Sequence, residues 1–574
     1  MPLLFTRRKP NCQEELGLIP VENCEVLRQD DYMLPDLSHS AFPAAGDPIS
    51  RAVERCGLLR PGECLACEVC CRFPLADSPL APFFSHEEQT GAAEAGLSAE
   101  AFLPGRFGTG GWPLLTRFDL IHRCPAFRPE TNDCAIYARR PLDCRLYPFL
   151  LMYSPDGDAV TLGLDRYCPC AIERLREPAT ARLAEEVADL LEGPLLPDML
   201  AYRGLVGGFK EHVEPMRSLP TLTRALCRAD LGLARLLPTA CERLAPFFDA
   251  EASPLSYHSF PSLAIWADLF DLYWKISGDR LLVIADGEGD SFMLCPPLGT
   301  GPAAPAAEEG LTLLKLLNPS GASPRIQEAD GRLTREIEPA GWRVRESAVE
   351  YLYSRAELAD LRGNRFESKR QMCNRFERDH AWRFRAYDPE DFSTVMALYR
   401  DWLAARAHVA QPPSPAGNVE QPPSAVSPPL RHSPQPGAAV PHHPVTDEFF
   451  TAQAEAGFRT LHRSLRDAEA LGLRARVLEA DGHIVAYTGG YPLADGRTFY
   501  VLHEFNDLGV KGAAQVIFRE FCREAAPCDR INAGGGSCLA QLDRVKESYH
   551  PIERIASHTL VRVQGERREP RTDN

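Results

Sequence analysis

The chain has 574 residues, 44% of them apolar and 25% charged, with a formal net charge of −16. This composition excludes a wholly disordered, collagen-like or coiled-coil protein, and ~100–200 residues per domain predicts roughly three to five domains. The acidic balance argues against broad non-specific nucleic-acid binding, so DNA is not an expected partner, while a local basic patch stays open. No apolar run reaches the ~18 residues of a membrane span. The basic stretch Met1 to Pro10 has no apolar segment after it, as a signal peptide would. The expectation is a cytoplasmic protein without stable membrane insertion.

In chain order, residues 1–49 read as an N-terminal arm rich in proline and acids, with Cys12 and Cys24. A cysteine-rich domain follows at 50–190, because nine of the 19 cysteines fall between Cys64 and Cys170. Leucines at helical spacing predict helices over 175–250, with 191–240 as a helical connector. From 241 to 565 the pattern is mixed. Strands are predicted at Arg280 to Ala285 and Ser291 to Leu294, and a helix at Glu308 to Leu317. Residues 411–444 hold eleven prolines and read as an extended insertion. A long helix comes next. Three strands then follow, Arg474 to Glu479, His483 to Thr488 and Arg497 to Phe505, joined by Asp481-Gly482 and Asp495-Gly496 turns. A glycine loop, a helix at Ala513 to Glu524, and strands near Arg530 to Asn532 and Thr559 to Val563 complete the chain.

Cys64-x-x-Cys67-x-x-Cys70-Cys71 is the strongest local signal. If this segment is helical, Cys64, Cys67 and Cys71 share one stripe and Cys70 lies further round. Three thiolates do not close a four-coordinate site, so Cys124, Cys134 and Cys144 are further donors, with Cys168 and Cys170 in reserve. A reducing compartment disfavours disulfides, and zinc and an iron–sulfur cluster both suit such donors. The segment also carries Pro82-Phe83-Phe84-Ser85-x-Glu87-Glu88, Cys124-Pro125, Cys134-x-Ile136-Tyr137 and Arg140-Pro141-x-x-Cys144-Arg145-x-Tyr147-Pro148-Phe149. With these motifs, residues 60–175 resemble the YkgJ family of zinc- or iron-chelating cysteine-cluster proteins. The resemblance implies metal binding through Cys64, Cys67, Cys70, Cys71, Cys124, Cys134, Cys144 and Cys168. Arg140 and Arg145 would offset the negative charge of such a centre.

In the C-terminal part, a strand meander, glycine loop, helix and strand follow the order of an acyl-CoA N-acyltransferase (GNAT) core. Gly509, Lys511, Gly512 and Ala514 fill the slot where backbone N–H groups cradle a pyrophosphate. A second set of motifs is more specific. It begins with Ser256-Tyr257-x-Ser259-Phe260-x-Ser262-Leu263-x-Ile265-Trp266, Pro296-Pro297-Leu298-Gly299 and Tyr351-Leu352-Tyr353. Leu361-x-Gly363-Asn364-x-Phe366-x-x-Lys369-Arg370-x-x-x-Asn374-Arg375-Phe376, His503-Glu504 and Lys546-x-Ser548-Tyr549-x-Pro551 complete it. These resemble the C-terminal domain of phosphatidylglycerol lysyltransferases. The resemblance implies a tandem pair of GNAT-like folds and transfer of an aminoacyl group from aminoacyl-tRNA to a lipid or peptide amine. Two departures stand out: no membrane domain is present, and Gly534-Gly535-Gly536-Ser537-Cys538 replaces an acidic run.

The fold class expected is therefore α+β: a small cysteine-rich metal-binding domain followed by a tandem GNAT-like α/β domain. Amine acylation needs a base and a proton donor. His503 and Glu504 are the candidate bases, and strand alternation lets only one face the cleft. Tyr549 is the candidate acid. Lys369, Arg370 and Arg375 are candidates for a phosphate or a tRNA acceptor end. The leading expectation is a metal-binding acyl- or aminoacyltransferase using acyl-CoA or aminoacyl-tRNA. The alternatives are a non-catalytic metal or redox sensor whose GNAT-like half binds a partner, and chemistry at the cluster itself.

Overall fold

A computed structural model describes residues 49, 51–52, 58, 67, 69–76, 78–104, 110–119, 121–287, 290–319, 321–410, 447–535 and 540–562. Expectations for residues 1–48, Cys64, the proline-rich 411–444 segment and Gly536 to Cys538 fall outside these. No helix among the described residues is long and apolar enough to cross a membrane.

The cysteine-rich part opens with strands of two to four residues. Arg72–Phe73 pairs with Ile121–Arg123, which pairs with Thr116–Phe118, while Phe127–Arg128 pairs with Asp133–Cys134. Strands this short supply few ladder bonds. A small core of Phe73, Phe84, Ala92, Leu115, Ala126 and Ile136 packs between them. A longer meander follows, β1 (Phe149–Tyr153), β2 (Val160–Asp165) and β3 (Val213–Ser218), with β2 in the middle. Helix α1 (Pro178–Glu192) covers it through Leu183, Val187 and Leu191, which recur every four residues on one face. Region 191–240 is therefore not purely helical. Val213–Ser218 shows no apolar alternation, and its pairing with β2 is what makes it a strand.

Among the described residues, the remainder forms one 13-stranded sheet. Its first half comprises β4 (Ala234–Arg235), helix α2 (Cys241–Glu251), β5 (Asp271–Ser277), β6 (Arg280–Asp286) and β7 (Phe292–Met293). Helix α3 (Ala303–Leu317), β8 (Arg325–Ala329), α4 (Gly331–Ile337) and β9 (Trp342–Ser354) complete it. After α5 (Glu367–Asp379), the second half repeats that order: β10 (Trp382–Ala386), α6 (Phe392–Ala410), α7 (Asp447–Arg466), β11 (Arg474–Ala480), β12 (His483–Pro492) and β13 (Thr498–Asn506), then α8 (Ala513–Glu524), β14 (Arg530–Gly535), α9 (Ala540–Glu547) and β15 (Glu553–Arg562). In each half one parallel pair, β7–β8 or β13–β14, is bridged by a crossover helix, as parallel pairing requires. The spatial order is β4-β5-β6-β7-β8-β15-β9-β14-β13-β12-β11-β10, with Leu298–Gly299 attached to β6. Each half thus lends its last strand to the other. The fold is α+β with a tandem GNAT-like second part, as the motif order implied.

The two Asp-Gly turns differ. Asp481 and Gly482 both have positive φ, 53° and 84°, as a tight hairpin requires. At Asp495-Gly496 only the glycine does. There the Asp495 carboxylate accepts from Arg497 N, Thr498 N and Thr498 Oγ1 at 3.0, 2.8 and 2.6 Å, building a longer side-chain-capped turn.

The cysteine-rich part is fastened to the first half. Arg235 N donates to Gly157 O at 2.7 Å, and Thr239 Oγ1 to Pro155 O at 2.6 Å. Asp271, 1% exposed, is ion-paired to both Arg203 and Arg235. Beside it in the ladder, Asp286 accepts from Arg228 at 3.2 Å. Removing one partner of such a buried group strands the other charge. Asp271→Ala is expected to lower unfolding free energy by about 3–5 kcal/mol, read by urea denaturation, whereas truncating the exposed pair Arg497–Asp529 is expected to cost under about 1 kcal/mol.

Candidate functional site

The described cysteines gather where the short strands meet. Arg72 pairs with Arg123, so the next residues outward, Cys71 and Cys124, face each other. Their thiols are hydrogen-bonded, and Cys124 N donates to Cys71 O at 3.1 Å. Pairing of Phe127 with Cys134 folds Cys134 back toward them, and the helix Leu142–Leu146 brings Cys144. The charges of Cys71, Cys134 and Cys144 act on one another, and Arg140 acts on all three. The Cys67 carbonyl is held by Asn132 Nδ2 at 3.1 Å and Arg72 Nη1 at 3.4 Å.

One expectation is corrected here. The described residues around Cys70 and Cys71 form a turn rather than a helix, and Cys71 has φ 62°. The stripe reading fails because the chain there must turn into a strand. Arg145, next to Cys144 in the chain, forms a buried ion pair with Glu88 at 3.4 Å. Cys70 and Cys168 both act on the Tyr147 hydroxyl.

The donor set suits a soft metal. The hydrogen bond to Cys124 and burial push the Cys71 thiol up, and burial followed by neighbouring thiols does the same to Cys144. Without a cation these groups stay protonated; a metal would take the place of the protons. Among the described residues, no three of His, Cys, Asp and Glu already ring one point at ligand distance.

In the second half, a β-bulge selects which side chain faces which layer. Gly489 pairs with His503 and Gly490 with Val501, so Leu502 is an extra residue in β13. Before the bulge, Phe499 and Val501 pack with α8. After it the alternation is inverted. His503 and Phe505 face α7, where His503 Nε2 meets Ser464 Oγ at 3.0 Å. Ser464 donates its own proton to Thr460 O at 2.7 Å. Burial lowers His503 to about 4. Glu504 instead faces the α8 layer, where its charge reaches Cys522 and Tyr549. Burial raises Glu504 to about 8, and its Oε2 has no hydrogen-bond partner among the described residues. The structure therefore brings Glu504 and Tyr549 together and turns His503 away.

Lys546, on α9, completes this group. Its Nζ donates to Ala533, Gly534 and Gly535 O at 2.5, 2.9 and 2.7 Å, which uses all three ammonium protons. Burial lowers it to about 8, against the pull of Glu350, Asp543 and Glu504. Tyr351 Oη donates to Asp543 at 3.1 Å and Tyr353 Oη to Lys546 O at 3.0 Å, so the Tyr-Leu-Tyr motif holds α9 in place. Tyr549 packs edge-on against Phe518, with Lys369 Nζ 4.3 Å from its ring centre.

The glycine loop is packed rather than open. A Cβ on Gly512 would lie 2.6 Å from Met372 O and 2.9 Å from Phe376 Cβ, so α5 is laid directly against it. Gly512 also has φ 94°. Lys511 is exposed and Ala514 half-buried. Gly509 N donates to Asp507 Oδ1 at 2.7 Å. Of the basic residues on α5, Arg370 is bonded to Leu361 O and Gly363 O, and Arg375 to Asp379. The Ser256, Ser259, Ser262 spacing has a structural origin too. Ser259 and Ser262 reach Tyr491 Oη, and Ser256 reaches Glu350. Sequence reasoning missed Glu350 and Asn532. The signal for Glu350 was one acid inside the apolar run Ala348 to Tyr353.

The comparisons agree with this division. Residues 63–169 match the CxxCxxCC family, named for zinc or iron chelation. Among solved structures, a conserved protein of unknown function from Bacteroides thetaiotaomicron is 19% identical, with TM-score 0.45, over 58% of this chain and 99% of that one. The L-PGS structure from Bacillus licheniformis is 14% identical, with TM-score 0.37, over 57% and 92%. A tandem GNAT protein from the clavulanic acid biosynthesis pathway is 10% identical, with TM-score 0.30, over 58% and 99%. No curated protein matches the chain. Residues 252–564, more than half of the chain, match the phosphatidylglycerol lysyltransferase C-terminal family, and to that family the chain belongs.

Proposed function

We propose that the chain is an aminoacyltransferase whose chemistry lies in the second half, with a metal held by the N-terminal thiols. The observation that carries this is Glu504: a shielded carboxyl with an unpartnered oxygen, raised to about 8, beside Tyr549 and the pinned Lys546 ammonium. A general base works best with a pKa near the working pH, and burial supplies that shift. Glu504 takes a proton from the acceptor ammonium. The freed amine attacks the aminoacyl ester carbon; the amide C–N bond forms and the ester C–O bond breaks. Tyr549, kept protonated by burial, donates to the leaving ribose oxygen and recovers a proton from Glu504, and the second proton of the attacking nitrogen leaves to solvent as the amide forms. Lys546 supplies fixed positive charge.

Aminoacyl-tRNA fits better than acyl-CoA as donor. With α5 laid against Gly512, that glycine already has a packing role, and the case for a pyrophosphate cradle weakens. The named family points the same way.

Cys71, Cys124, Cys134 and Cys144 would hold the metal, with Cys64, Cys67, Cys70 and Cys168 as further donors. A thiolate-bound metal would staple strands that have little core of their own.

Two outcomes follow. The pH profile of kcat/KM for aminoacyl transfer is expected to be bell-shaped and centred near pH 8. Activity rises as Glu504 loses its proton and falls as Lys546 loses its charge, the two apparent values belonging to the pair. Glu504→Gln should cost about 10²–10⁴-fold in rate and remove the rising limb, whereas His503→Gln should leave the profile unchanged; a full-rate Glu504→Gln enzyme refutes the assignment. For the metal, protein purified without oxygen should carry zinc, or iron with matching acid-labile sulfide, by elemental analysis. The double variant Cys71→Ser, Cys134→Ser should lose it, and Cys227→Ser, buried in the core, should retain it.

A further inference from the structure

Between the two halves lies a buried carboxylate with an unusual set of neighbours. Glu350, on β9, is 1% exposed. Its oxygens accept from Ser256 N at 3.0 Å, from Ser256 Oγ, and from Asn532 Nδ2 at 2.7 Å. No arginine or lysine is within ion-pair distance of it among the described residues, unlike Asp271 or Glu251. A buried carboxylate without a direct cation is costly unless its hydrogen bonds hold it and a charge stands nearby.

Asn532 passes this arrangement on. Its Nδ2 also donates to Pro254 O at 2.9 Å, and its Oδ1 accepts from Gly534 N at 2.7 Å. Gly534 has φ 70°, and here β14 is irregular: Glu350 pairs with Gly535 but Leu352 with Asn532. The extra residue turns the carbonyls of 533, 534 and 535 onto one point, where Lys546 Nζ sits.

We infer that Glu350 is a positioning residue for Lys546, acting through Asn532 and the β14 bulge, so that the first half sets the geometry and charge of the second half's lysine. Its relevance to catalysis rests on the reading of Lys546 given above. Three charged groups face the ammonium: Glu350 from β9, Glu504 from β13 and Asp543 from α9, while the Tyr351 ring lies 5.9 Å away. Asp543 is engaged by Tyr351 Oη. Glu350 is the group tied by hydrogen bonds to the carbonyl cradle itself. An amide at position 350 would set N–H groups against the Ser256 and Asn532 donors and remove the charge together.

The test reads Lys546 directly in the full chain, without substrate. Reductive methylation with ¹³C-formaldehyde, located by peptide mass spectrometry, gives the rate of Lys546 modification between pH 6 and 10. Glu350→Gln should raise that rate at least fivefold at pH 7 and move its midpoint to lower pH. Glu350→Asp should restore part of the shift, and Asn532→Ala should release the lysine in the same direction. Should Glu350→Gln not fold, Asn532→Ala and Ser256→Ala carry the same test. An unchanged Lys546 profile in folded variants overturns the inference, and so does a full shift from Asp543→Asn alone. The result is independent of Glu504: a full-rate Glu504→Gln enzyme would defeat the assignment of Glu504 as the base and leave the Lys546 titration standing.

Discussion

The exchange of last strands between the two halves is the constraint on which the C-terminal sheet depends. β9 ends the first half in sequence yet lies between β15 and β14; β15 ends the second half and lies between β8 and β9. Without the exchange each half would keep its own last strand, and β9 and β15 would each end as an edge with unpaired N–H and C=O groups. With it, both are covered and one sheet results. The same crossing carries Glu350 into the second half's ladder, beside Asn532. A strand of one repeat thereby becomes part of the polar interior of the other, and the site inherits its rigidity from the sheet rather than from loops.

Two kinds of buried carboxylate stand out. Asp271 and Glu251 sit against arginines, Glu251 with Arg280 at 2.7 Å and with Arg332. Asp467 is buried, yet Arg463 and Arg466 hold it down at about 2. These are ion pairs that fasten elements together. Glu504 and Glu328 have no such partner, and burial raises them to about 8 and about 7. Glu328 also has a positive φ of 56° and accepts from Ser557 Oγ at 2.5 Å, on the exchanged strand β15. Charge left uncompensated inside a protein is where titration near neutrality becomes available.

Much of the fold was legible because it rests on short-range signals. The helix Ala513–Glu524 and the three strands before it follow from period and turn residues, and Asp481-Gly482 is a hairpin by backbone preference alone. The cluster of thiols was legible as a set, but not its geometry: Cys71 and Cys124 meet through strand pairing across about fifty residues of sequence. The choice between His503 and Glu504 could not be read from alternation, since one inserted residue at Leu502 inverts it. Gly512 looked like a phosphate-loop glycine, and its neighbour turned out to be a helix from another part of the chain. Glu350 was hidden because its partners, Ser256 and Asn532, lie far from it in sequence.

The strand exchange also bears on how the chain is made. β9 emerges from the ribosome about two hundred residues before β15, its principal neighbour in the sheet. Without residues 553–562, β8 and β9 would each have one unpaired edge where the ladder is interrupted. The sheet is continuous only with residues 553–562 between β8 and β9, so the two halves share one closing strand. A chain cut short before residue 553 would lack the strand that joins β8 to β9, and its sheet would stay in two parts.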